Sequence, residues 1–125
     1  LSNFWPVEIE FDGAYYPSVE HAYQASKTFN QEARRRIQTA SSPRCAKKIG
    51  ETVDIRDDWE RIRVKVMSEL VEQKFKNPTL AQRLIDTGRR KLSEGNDWGD
   101  TFWGVYKGVG DNHLGNMLMN IRAQK

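Results

Sequence analysis

From Val7 the chain alternates. Val7, Ile9 and Phe11 are apolar, and Glu8, Glu10 and Asp12 are acidic. A period of two that runs into Asp12-Gly13 predicts a short strand entering a turn, with room for one antiparallel partner. Beyond Tyr16 helical punctuation takes over. Ser18 can cap a first helix. At 100° per residue, Val19, Ala22, Ser26 and Phe29 share an inward face, while Glu20, Gln24 and Lys27 share a polar stripe. Asn30 opens a second helix that runs through Thr39. Ser42, Pro43 at the first helical position and Gly50 as a stop bound a third. Asp57 and Glu60 stand three apart, the spacing of a capping box, ahead of a fourth helix. Its Trp59, Ile62, Val66, Leu70 and Phe75 recur at helical spacing. Asn77-Pro78 starts a fifth, with Leu80, Leu84 and Ile85 inward and Gly88 at its end. Leu114, Met117, Leu118 and Ile121 form the stripe of a sixth. Between Ser93 and Asn112 glycines and aromatic residues alternate without helical period. Such a long loop within a compact domain is uncommon and often functional. The pattern predicts a mainly α fold with a short β element near the N-terminus. No repeat, low-complexity stretch or linker divides residues 1–125, so one domain is expected.

Composition narrows the class. The chain has 125 residues, 38% apolar and 30% charged, which suits a globular domain rather than a disordered one. No apolar run approaches the roughly 18 residues of a membrane span, and no signal-peptide pattern opens the chain. One cysteine, Cys45, cannot form an internal disulfide, which agrees with a reducing, cytoplasmic setting. His21, His113 and Cys45 are too few for a typical structural zinc site, so no metal is expected. Net charge is +3, too small by itself to mark a nucleic-acid binder. The charge is uneven, however. Lys27, Arg34, Arg35, Arg36, Arg44, Lys47 and Lys48 stand against Glu32, a local net of +6. That block could hold phosphates or be a solvated face.

Two places carry candidate chemistry. With ~1.5 Å rise per residue, Glu20 and Lys27 lie about 10 Å apart along the helix. Both can reach a sugar-sized ligand across it, although an ordinary solvent face has the same pattern. The glycine-rich loop offers Asp97, Trp98, Asp100, Trp103 and Asn112. Aromatic rings can stack on a base, a carboxylate can move protons and an amide can hold sugar hydroxyls. The tryptophans could equally be core. Asp100 between two of them is less easily placed there, because a buried carboxylate needs partners. "GVGDN" lacks the Gly-Lys-Ser/Thr ending of a phosphate-binding P-loop. His21 and His113 read as hydrogen-bonded structural histidines, and Cys45 as a buried, inert thiol.

Eight segments in order give these residues a context: "LSNF" (1–4), "YPSVEHAYQASK" (16–27), "SSPRCAKKIG" (41–50), "DWERIRVKVM" (58–67), "KF" (74–75), "LIDTGRRKLSE" (84–94), "DTFWG" (100–104) and "GDNHLGNMLMNIR" (110–122). Together they resemble the NADAR, or YbiA-like, family over essentially the whole chain. The resemblance implies a mainly helical YbiA-like fold. It also implies that a short N-terminal segment usual in the family precedes the position of Leu1.

What the resemblance implies for function is an N-glycosidase, a hydrolase that breaks the bond between C1′ of a phosphorylated ribose and a nitrogen. Phosphoribosylaminopyrimidine intermediates of riboflavin synthesis are one such substrate. An ADP-ribosyl hydrolase acting on guanine in nucleic acid or nucleotide is the alternative, and a non-enzymatic ADP-ribose-binding module is a third reading. Matched to the family motifs, Glu20, Lys27 and Asp100 are the catalytic candidates. Asn3, Phe4, Trp103, Gly104 and Asn112 are the substrate-binding ones, and Arg122 reads as structural. No cofactor is implied. The expected partner is a phosphorylated ribosyl small molecule or ADP-ribosylated guanine, with nucleic acid only as modified substrate and no membrane.

Overall fold

The Asp12-Gly13 pair makes the turn its sequence suggests. Both residues take positive φ, 49° and 82°, as a two-residue hairpin requires. Strand β1 (Ile9–Phe11) therefore folds back on β2 (Ala14–Tyr16) with Ile9 opposite Tyr16 and Phe11 opposite Ala14. The computed structural model describes residues 2–93, 95–96, 100–106 and 110–125. Asp97 and Trp98 of the glycine-rich loop, and Leu1 of the first motif, lie outside them. Two compact units make up the chain, Leu1–Lys76 and Asn77–Lys125.

In the first unit the helices begin where cap residues stand. Ser18 caps α1 (Val19–Ser26), Asn30 caps α2 (Gln31–Gln38) and Ser42 caps α3 (Pro43–Gly50), each accepting from a backbone N–H in the first turn. Helix α4 (Trp59–Lys74) starts differently. The expected capping box of Asp57 and Glu60 is not used. Asp58 takes the cap position without a side-chain cap bond. Its carboxylate instead binds the Arg56 guanidinium at 2.6 and 3.0 Å, a bidentate pair that outcompetes a single amide.

Helix α1 is the centre of this unit. It packs on α2, α3, α4 and both strands, and all eight of its residues are buried. The inward face of Val19, Ala22 and Ser26 is as expected. Phe29 is not part of it: the helix stops at Ser26, so the period ends first, and the ring is 61% exposed. The hairpin is fastened to α4 by Gln73. Its amide accepts from the Glu10 N–H at 2.6 Å and donates to the Glu10 carbonyl at 2.9 Å, acting as a short strand. Arg34, which the charge count places in the basic block, is buried. It donates to the Thr28 carbonyl at 2.7 Å and pairs with Asp12 at 3.0 Å.

The second unit holds α5 (Pro78–Ile85), α6 (His113–Ala123), β3 (Gly95–Asn96) and β4 (Val105–Tyr106). Asn77 caps α5 through the Thr79 and Leu80 amides. Leu80 and Leu84 point inward as expected, but Ile85, at the last helical position, is 42% exposed. Arg122 is structural: it donates to the Thr87 hydroxyl at 2.7 Å. The parallel pairing of β3 with β4 has no sequence signal, because two residues are too short to show a period. Among the described residues the result is six helices and two small two-stranded sheets, a mainly α fold. No helix among them is long and apolar enough to cross a membrane.

Candidate active site

The polar stripe of α1 does not face water. Glu20 is 8% exposed and Gln24 3%. Burying a carboxylate and an amide is costly unless their hydrogen bonds are replaced, so their partners matter. Gln24 lies one turn beyond Glu20 and donates from Nε2 to Glu20 Oε1 at 2.8 Å. A carboxylate only accepts, so this contact fixes which end of the amide faces it. The other end, Gln24 Oε1, is buried without a hydrogen-bond partner. It lies against Gly50 at the end of α3, where any Cβ would collide with it. Leaving a buried acceptor unpaired costs about 1–3 kcal/mol. Stability alone does not account for this arrangement.

Lys27 closes the helix as its C-cap residue. Its carbonyl accepts from the Arg56 N–H at 2.8 Å, and its Nζ lies 5.8 Å from the centre of the Tyr23 ring. Burial pushes its amine below the usual lysine range. The negative charges of Glu20 and Glu51 oppose that shift, and Lys47 adds to it. Of the basic block, Lys47 is the cation that acts on Lys27 in the expected sense; Arg34 is committed to Asp12.

The "SNF" segment sits at the start of α1. The Asn3 carbonyl accepts from the Glu20 N–H at 3.1 Å, and Asn3 Nδ2 lies 3.5 Å from Met67 Sδ. The Phe4 N–H donates to Ser2 Oγ at 3.1 Å. The Ser2 carbonyl in turn accepts from Lys74 Nζ at 2.6 Å. Lys74 is fully buried, and this contact gives it a fastening role that its spacing did not suggest. Asn3, Phe4, Glu20 and Lys27 thus all lie in the first unit, with the backbones of Asn3 and Glu20 joined.

The other four candidates form a group in the second. Asp100 Oδ1 accepts from the Phe102 and Trp103 amides at 3.1 and 3.0 Å. This is a local side-chain turn that sets the path of the Asp100–Gly104 segment. The Trp103 ring meets Phe102 edge-on at 4.8 Å, and the His113 ring lies tilted against Phe102 at 4.4 Å. The Gly104 carbonyl accepts from the Asn112 N–H at 3.3 Å. Gly110 passes so close to that carbonyl that a side chain there would strike it. Asn112 takes the left-handed conformation, φ 54°, and its Nδ2 donates to the Leu92 carbonyl at 2.9 Å. Asp100 and Asn112 therefore both shape this segment.

Two expectations about single residues resolve in opposite ways. Cys45 is exposed rather than buried, and hydrogen bonds from Ser42 and Ser41 lower its thiol pKa. His21 is structural, as expected. Its ring lies between Ser18 Oγ at 2.7 Å and the Ala40 carbonyl at 3.2 Å. That places the proton on Nε2, with Nδ1 accepting from the serine. Burial holds its pKa below 6.5, against the upward pull of Ala40. The unfolded chain then binds a proton that the folded chain resists, so stability is lost as pH falls below about 6.5. Melting temperature is expected to drop between about pH 7.5 and pH 5.5, with a smaller drop in His21→Gln. Equal drops in the two proteins would remove His21 as the cause.

Among the described residues no group of three or more His, Cys, Asp or Glu side chains could hold a metal ion. Spacing had put Gln24 on the stripe without giving it a task; its position four residues after Glu20 was the available signal. Gly50 read only as a helix stop.

Comparison with known proteins identifies the family. The NADAR domain model matches residues 1–124. The N-glycosidase YbiA of Escherichia coli is 35% identical over 99% of this chain and 79% of its own length. A riboflavin biosynthesis protein of Vibrio vulnificus is 37% identical over 99% of this chain, but the match spans only 35% of that longer protein. The NMR structure of E. coli YbiA superposes with a TM-score of 0.85, covering 98% of this chain and 75% of that one. The chain belongs to the NADAR domain family.

Proposed function

We propose that this protein is an N-glycosidase that hydrolyses the bond between C1′ of a phosphorylated ribose and an amino nitrogen, with a phosphoribosylaminopyrimidine as substrate. The observation that carries the reading is the polar stripe of α1: a buried carboxylate, Glu20, and at the end of the same stripe a half-buried amine, Lys27, of lowered pKa. A binding module has no need of either group. The names of the relatives, an N-glycosidase and a riboflavin biosynthesis protein, support the same reaction class and substrate.

The proposed chemistry follows from the two groups. Cleavage of a glycosidic bond passes through an oxocarbenium-like state, which a nearby carboxylate stabilises. Lys27, whose amine partial burial makes easier to deprotonate, attacks C1′ in its neutral form. The C1′–N bond breaks, and Glu20 carries the amine's proton to the departing nitrogen. The ribosyl-lysine then opens: its remaining N–H proton passes through Glu20 to O4′, leaving an imine between Lys27 and C1′. Water adds to the imine, releasing the sugar phosphate and restoring the amine. Trp103 is assigned to stacking on the base and Asp100 to a sugar hydroxyl. Asn3, Phe4, Gly104 and Asn112 are assigned to substrate binding. These six roles rest on the motifs that carry the residues.

The test is to incubate the protein with a phosphoribosylaminopyrimidine and, separately, with ADP-ribosylated guanosine, and to measure free base. Release from the first at the higher kcat/KM is expected. Release only from the second would replace the proposed substrate, and release from neither would refute the activity.

A further inference from the structure

We infer that Gln24 is a positioning residue for Glu20, and that Gly50 makes this possible by leaving the Gln24 amide room at the end of α3. The inference rests on the reading of Glu20 as a reacting group. Gln24 donates to Glu20 Oε1 at 2.8 Å from the next turn of the same helix. Both residues are buried, so water does not compete for the contact. The amide cannot turn over without setting its oxygen against the carboxylate. Its own oxygen is left unpaired against Gly50. The helix therefore keeps one polar atom unsatisfied while it holds a carboxylate oxygen in place. An amide N–H on a carboxylate favours the ionised form and fixes its rotamer. Both properties suit a group that must accept a proton before it delivers one.

A side chain at position 50 would enter the space that Gln24 Oε1 occupies. Gly50→Ala should therefore act through Gln24 and mimic its loss. Among the described residues, the charged groups around the stripe include Lys27 at the end of α1, and Lys47 and Glu51, which act on Lys27 from α3 and the residue after it. From α2, Arg34 is held by Asp12, and from α4, Lys74 donates to the Ser2 carbonyl. His21, on α1, is tied to Ser18 and Ala40. All of these remain in the variants, and the amide is the group removed.

The experiment compares wild type with Gln24→Met, which keeps the side-chain length without the amide, and with Gly50→Ala. Two readouts are taken on folded protein. One is the titration of the Glu20 carboxylate by carbon NMR, assigned with Glu20→Gln. The other is kcat and KM against pH on the phosphoribosylaminopyrimidine. In both variants the Glu20 titration is expected to move up, and the acidic limb of kcat with it. The kcat should fall on the order of ten- to a hundredfold, with KM little changed. An unmoved Glu20 titration in Gln24→Met overturns the inference whatever the activity. A titration that moves while kcat and its profile stay put confirms the contact. It removes Glu20 from the chemistry, and with it the positioning role.

Discussion

Glu20→Gln is expected to lower kcat by about 10²–10⁴-fold, the usual worth of positioned acid–base assistance, with KM nearly unchanged. The substitution keeps the shape of the side chain and its place at the start of α1, where the backbone N–H is held by Asn3. What it removes is the charge and the ability to shuttle a proton. Because Glu20 is buried beside a buried amide, solvent cannot easily replace that function. Circular dichroism and melting temperature close to wild type would show that the loss is chemical. Full turnover by the folded variant would take Glu20 out of the reaction.

The second large effect is expected at Lys27. Borohydride added during turnover should reduce the imine and leave a sugar phosphate bound to the protein, visible as a mass increase that maps to Lys27. Lys27→Arg and Lys27→Ala should show no adduct and lose on the order of 10²-fold or more in kcat, because neither supplies an amine nucleophile. Arginine is the sharper comparison. It keeps the positive charge opposite Glu20 but stays protonated. If Lys27 served only as a charge, Lys27→Arg would retain most of the activity. The pH dependence should agree: a lysine pushed down by burial becomes neutral at lower pH than an exposed one, so activity is expected to persist well below the ordinary lysine range. A basic limb of kcat that required protonated Lys27 would oppose the nucleophile role.

Local signals in the sequence were enough for most of the fold, because caps and tight turns are decided by a few neighbouring residues. Ser18, Asn30, Ser42 and Asn77 cap the helices they precede, and Asp12-Gly13 turns the hairpin. Local reading failed where a competing partner lay nearby or the element was too short. Asp58 binds Arg56 rather than capping α4. Phe29 follows the end of α1, so helical period no longer describes it. The β3–β4 pair spans two residues on each side.

The candidate site shows a different limit. Spacing placed Glu20, Gln24 and Lys27 on one stripe, but a helix taken alone does not say what covers each face. Cover comes from α2, α3 and α4, through packing that the helix's own spacing does not encode. Burial turned most of the same stripe from an ordinary wet face into a covered one, with Glu20 and Gln24 buried and Lys27 half-buried at its end. It also gave Gly50 a second meaning, because only the packing of α3 on α1 reveals whose atoms fill the space beside it.

The central claim is that the buried stripe of α1 breaks an N-glycosidic bond. The measurement that bears on it most directly is free base released from a phosphoribosylaminopyrimidine by equal amounts of folded wild type, Glu20→Gln and Lys27→Ala. Steady turnover by wild type with at least about a hundredfold loss in both variants is the predicted result. Turnover in either variant at the wild-type rate would contradict the claim.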